Sequence, residues 1–112
     1  MGLVVDYTHE DGTRYPAAYT YLYSVYMNTI REPAYTDKDD VPHEAANGRG
    51  PLVVTFYVYP DEATYKRFGA EVATERVRLD RKSVVMDADL EAQGWAELRK
   101  RAAFRSGTVK AD

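Results

Sequence analysis

Leu52–Val53–Val54–Thr55–Phe56–Tyr57–Val58–Tyr59 is the stretch on which the fold turns. Leu52, Val54, Phe56 and Val58 are apolar without exception, whereas Val53, Thr55, Tyr57 and Tyr59 are amphipathic. Side chains alternate across a β-strand, so this period of two predicts a strand with its apolar side in a core and a different, partly polar side opposite.

Upstream, the longest β signal runs from Tyr15 to about Arg31. Strict alternation puts Tyr19, Tyr21, Tyr23 and Val25 on one face and Ala18, Thr20, Leu22, Ser24 and Tyr26 on the other. Pro16 marks the start of this strand or an edge position, because it has no N–H for a ladder, and Pro33 closes it. Before it, Leu3, Val5 and Tyr7 alternate with Val4, Asp6 and Thr8, and His9–Glu10–Asp11–Gly12 supplies a turn in which Gly12 can take a positive φ. A hairpin therefore opens the chain.

Downstream, Pro60 stops the central strand and Asp61 can cap a short helical insert that runs through Phe68 and ends at Gly69. Ala73, Glu75, Val77 and Leu79 alternate with Val72, Thr74, Arg76 and Arg78, a more exposed strand whose arginines would blunt an edge. Val84–Val85–Met86 is expected to finish the sheet. Asp87 is a plausible cap for a helix with Asp89 and Glu91 in its first turn and Arg99, Lys100 and Arg101 near its end, matching both poles of the dipole. Ala88, Ala92, Trp95, Leu98 and Ala102 share one arc of this helix, a narrow stripe around one large anchor. Gly94 lowers helix propensity by about 1 kcal/mol relative to Ala, which is consistent with either a close approach or simple tolerance.

These elements predict one α+β domain over residues 1–112: an antiparallel sheet of about four to six strands, with a sandwich-like or barrel-like closure open, and one C-terminal helix on a face. Between Glu32 and Pro51 lie three prolines, Gly48, Gly50 and the run Asp37–Lys38–Asp39–Asp40, with little periodic apolar content. This reads as a long loop at 32–51, either a partner-contacting arm or a solvated segment.

Composition narrows the functional classes. Lys and Arg number 15 against 18 Asp and Glu, which disfavours a general nucleic-acid binder. Residues 1–50 carry a net charge of −4 and residues 51–112 a net of +1, so the basic end is local. There is no cysteine, which removes thiol nucleophiles, disulfides and Cys-based metal sites. No stretch approaches the roughly 18 apolar residues of a membrane span, and Met1–Asp6 lacks a signal-peptide pattern, so synthesis in a cytoplasm is expected.

Motifs for chemistry are sparse. His9 and His43 are the only histidines, and no G-x-S-x-G elbow surrounds Ser24, Ser83 or Ser106, so nucleophilic catalysis is not expected. His9 reads as a solvated turn residue. Asp37, Asp39, Asp40, His43 and Glu44 form the one ligand-dense cluster, but they lack the spacing of an EF-hand, and a solvated acidic loop is the better reading. A carboxylate-pair enzyme requires a spatial relationship that the sequence does not display. Gly48–Arg49–Gly50–Pro51 is not a phosphate loop. No catalytic residue, cofactor or metal site is therefore assigned. Arg99, Lys100, Arg101 and Arg105 suit an acidic partner, although cations at a helix C-terminus need no further reason.

The excess to be explained is aromatic: ten tyrosines. Tyr19, Tyr21 and Tyr23, placed beside Tyr57 and Tyr59 by strand pairing, either lie beneath the chain's own helix with their hydroxyls at the rim or form a face that another subunit covers. Tyr35, Asp37, Asp39 and Asp40 on the 32–51 arm, with Arg76, Arg78, Arg99 and Arg101 at the rim, complete the candidate interface.

Tyr7–Thr8, Asp11–Gly12, Tyr15–Pro16–Ala17–Ala18–Tyr19, the strand ending Val58–Tyr59–Pro60–Asp61–Glu62–Ala63 and a helix ending near Phe104 together resemble small proteins of tailed-bacteriophage or prophage structural modules, over about half of the chain. The 32–51 segment and the Arg-rich helix end depart from that pattern, and the resemblance transfers no site residue. It implies a virion component of the tail, neck or fibre-attachment region, made in the bacterial host cytoplasm and contacting other virion proteins or copies of itself. The alternatives are a carbohydrate-binding module using exposed tyrosines and a small carboxylate-pair enzyme.

Overall fold

The computed structural model describes residues 2–110, and the side chains of all of these except 28–32 and 46–49. Strand β1 (Gly2–Thr8) turns into β2 (Arg14–Glu32), and β5 (Ala46–Tyr59) returns antiparallel to β2. Helix α1 (Glu62–Lys66), strand β6 (Ala73–Leu79), helix α2 (Leu90–Leu98), a 3-10 turn (Ala102–Phe104) and strand β7 (Thr108–Lys110) follow. The sheet is antiparallel, in the order β6-β5-β2-β1-β7. Sheet and helices make the α+β architecture expected from the sequence, with an open sheet and with α2 followed by further structure instead of ending the chain.

The two sides of β5 differ as its sequence dictates. Leu52, Val54, Phe56 and Val58 are fully buried beneath α2, where Trp95 meets Phe56 edge-on with ring centroids 4.7 Å apart. Gly94 allows this approach: a Cβ there would lie 2.7 Å from Cγ2 of Val54. Phe104 extends the core to Tyr7 of β1, at 5.9 Å between ring centroids.

The segment expected to be a loop at 32–51 is instead a ribbon. β2 and β5 stay paired to Glu32↔Ala46, beyond the reach of β1 and β6, and the tip carries its own small hairpin of β3 (Tyr35–Thr36) and β4 (Pro42–His43). Gly48, Gly50 and Pro51 hide the strand in the sequence, but backbone pairing does not depend on side-chain alternation. Pro51 is accommodated where the register shifts, since Met27↔Leu52 and Thr29↔Arg49 leave one residue of β2, Asn28, facing two of β5, Gly50 and Pro51. Nineteen residues of β2 at roughly 3.3 Å each span the long axis of a molecule measuring 60 × 29 × 24 Å.

Other boundaries differ from expectation for local reasons. Pro16 sits in a second irregularity, between Val5↔Ala18 and Tyr7↔Tyr15, on the part of β2 that precedes its first β5 partner at Tyr19, so of the two places expected for it, it takes the edge position and not the strand's start. Asp89 and not Asp87 caps α2, accepting from the N–H groups of Glu91 and Ala92. The buried stripe of α2 is Gly94, Trp95 and Leu98, while Ala88 and Ala92 are exposed. Val84–Val85–Met86 forms no strand: the Gln93 side-chain amide accepts from Val85 N–H and donates to Val85 C=O, taking the place of a neighbouring strand.

Candidate protein-contact surface

A bulge sorts the tyrosines. Leu22 pairs with Phe56 and Ser24 with Thr55, so Tyr23 is the extra residue, and the parity of β2 inverts after it. Val25 and Met27 thereby turn to the aliphatic core, and Tyr26 joins Tyr19, Tyr21, Tyr57 and Tyr59 on the opposite face. This corrects the strict alternation that placed Val25 with the tyrosines and Tyr26 against them.

The tyrosine face is covered unevenly. Helix α2 lies on the other side of the sheet, so the cover comes from α1. Asp61 caps α1, its carboxylate accepting from Thr64 N–H at 2.7 Å, and that places the Tyr65 ring 4.8 Å from Tyr19, 4.8 Å from Tyr21 and 5.3 Å from Tyr59. Tyr19 is only 1% exposed beneath it. Further along, Tyr23 stacks on Tyr57 at 4.2 Å, and the cover runs out: Tyr23 is 59% and Tyr26 60% exposed. Partial burial, the hydrogen bond with Tyr23 and the nearby Glu71 hold the Tyr57 phenol above its ordinary range. Burial and Glu71 do the same for Tyr59. These rings are amphipathic groups of a kind suited to contact.

Arg76 and Arg78 of β6 flank this face, because they pair with Thr55 and Val53 of β5. Both are exposed, and Arg78 lies 3.9 Å from Asp80. Arg99 and Arg101 are engaged within the fold: Arg99 donates to the carbonyls of Arg105 and Gly107, and Arg101 grips the Glu75 carboxylate and the Arg76 carbonyl. Sequence reasoning missed this last group, in which Tyr7 also donates to Glu75, because its members are 26 and 68 residues apart. Burial and the Glu75 charge raise the Tyr7 phenol. His9 belongs to the hairpin turn, where its Nδ1 accepts from Asp11 N–H.

At the ribbon tip, Asp37 organises the acidic run. One carboxylate oxygen accepts from the N–H groups of Asp39 and Val41, and the other lies 2.9 Å from Nε2 of His43, whose ring stacks on Tyr35. The His43 bond, followed by that of Val41, holds the Asp37 carboxyl below its ordinary range. Asp40 takes a φ of 60°, a left-handed conformation that Asp tolerates. Asp39, Asp40, Tyr35 and Val41 remain exposed. Among the described residues no group of His, Asp and Glu is arranged to hold a metal ion, and no helix is long and apolar enough to cross a membrane.

No protein-family model matches the chain, and no curated protein or solved structure matches it significantly.

Proposed function

We propose that this chain is a non-enzymatic assembly subunit that acts by protein–protein contact, through the β2–β5 ribbon and the uncovered end of the tyrosine face. The ribbon carries this reading. From Thr29 and Arg49 outward it is two strands with no third among the described residues, and an isolated two-stranded ribbon is marginal in water, so a partner that covers it stabilises it. Exposed Tyr23, Tyr26 and Tyr35 supply rigid amphipathic contact area, and Arg76 and Arg78 supply rim charge. The resemblance to phage structural modules makes the assembly a virion, with the chain in the tail, neck or fibre-attachment region.

The test is recovery of the chain in purified particles, with Tyr23→Ser and Tyr35→Ser as variants that remove exposed rings and leave the core untouched. Incorporation that falls at least several-fold in the double variant supports the reading. Wild-type chain absent from particles, or a double variant incorporated equally, overturns it.

A further inference from the structure

We infer that the open edge of β2 pairs with the same edge of a second copy of this chain, antiparallel about a two-fold axis at Met27. This names the partner for the ribbon and so rests on the assembly reading above.

β1 covers one side of β2 only as far as Gly2↔Tyr21. From Tyr23 to Glu32, no strand among the described residues lies on that side, so the outward N–H and C=O groups form a template for another strand. The other edges of the sheet are protected. β6 carries Glu75, Arg76 and Arg78, β7 is three residues long, and the free part of β5 contains Pro51 at a register shift. The β2 edge is less protected: its bulge at Tyr23 and the charges of Arg31 and Glu32 lie at its two ends, and Ser24 to Ile30 between them contains no charge and no proline.

The register follows from the two ends of the open segment. Pairing cannot pass Tyr21, which is already taken by β1, or Pro33, which has no N–H to give. Residues facing each other across an antiparallel pair share a sheet face, so a two-fold normal to the sheet must pass through one residue matched with itself. Centred on Met27, it pairs residues 23–31 of one copy with 31–23 of the other and stops inside both limits. Tyr26 of each copy then becomes the diagonal neighbour of the other Tyr26, within reach of an aromatic ring. This gives the exposed rings beside the edge a partner.

The contact is closed and self-complementary, as in most soluble dimers. Roughly 30 Å of edge, about 10 Å deep, with the outward parts of Tyr23 and Tyr26, covers on the order of 500 Å² a side, about 1,000 Å² in total, the size of a weak, reversible dimer.

The chain has no cysteine, so Met27→Cys introduces a single reporter opposite itself, at a separation a disulfide can bridge. With copper–phenanthroline as oxidant, the full-length variant is expected to cross-link to twice the 12.7 kDa chain mass, while a Ser106→Cys control is not. Light scattering on the uncross-linked chain at roughly 100 µM should give the doubled mass, and Tyr26→Lys, with an unchanged circular dichroism spectrum, should return it to the single mass. A monomeric wild-type chain, or a dimer that Tyr26→Lys leaves intact and Met27→Cys does not trap, overturns the pairing. Either result leaves the particle-incorporation test of the assembly reading to stand or fall separately.

Discussion

Tyr23, the extra residue of the β2 bulge, lies flat on Tyr57 of β5 with ring centroids 4.2 Å apart and planes 22° apart. The pair marks where the covered part of the tyrosine face ends. A double-mutant cycle of Tyr23→Ala and Tyr57→Ala in urea unfolding should give a coupling of about 0.5–1.5 kcal/mol. Additive single effects would show that the stack contributes nothing.

Gly94 should resist replacement. Ala would raise helix propensity by about 1 kcal/mol, but its Cβ would meet both Cγ atoms of Val54, at 2.7 and 2.9 Å, and overpacking of this kind costs about 1–3 kcal/mol. Gly94→Ala should therefore lower stability, read from the denaturation midpoint. A more stable variant would mean that α2 does not sit this close to β5.

Thr20 is fully buried opposite Leu3 and Val58, and its hydroxyl has no hydrogen-bond partner among the described residues. Thr20→Val keeps the shape and removes the unmet polar group, so stability should rise by about 1 kcal/mol in the same assay. A loss of stability would reveal a partner for that hydroxyl.

The ribbon tip should respond to acid. Asp37 is held ionised by His43 and by two backbone N–H groups, so its pKa in the folded tip lies below that of the unfolded chain. Its contribution is complete above the unfolded value, near pH 4, and is lost as pH falls through the lowered folded value. Amide resonances of Asp39 and Val41 should titrate with a midpoint below that of an ordinary Asp, and Asp37→Asn should abolish the transition. A midpoint at the ordinary value would remove Asp37 from the centre of the tip.

The legible parts of this fold were those written in neighbouring residues. The alternation of β5, the Asp61 cap and the Gly12 turn, with its φ of 92°, each rest on a few adjacent side chains and appear where the sequence places them. The ribbon was not legible, because Gly48, Gly50 and Pro51 carry turn signals while the strand they belong to is held by pairing with β2. The bulge at Tyr23 leaves no mark in composition, yet it decides that Tyr26 faces outward with the other tyrosines. Of the candidate interface residues, Tyr23, Tyr35, Arg76 and Arg78 are displayed, whereas Tyr19, Arg99 and Arg101 are used by the fold itself, through contacts with distant residues that no local pattern announces.

The most direct test of the account removes the tip alone. Glu32 and Ala46 are paired, so residues 33–45 can be replaced by Asn-Gly, a two-residue turn that closes the ladder and leaves the sheet intact. Incorporation into purified particles is then compared with that of the full chain by mass spectrometry. A folded variant that is lost from particles at least several-fold is expected. A folded variant that enters particles as well as the full chain would contradict it.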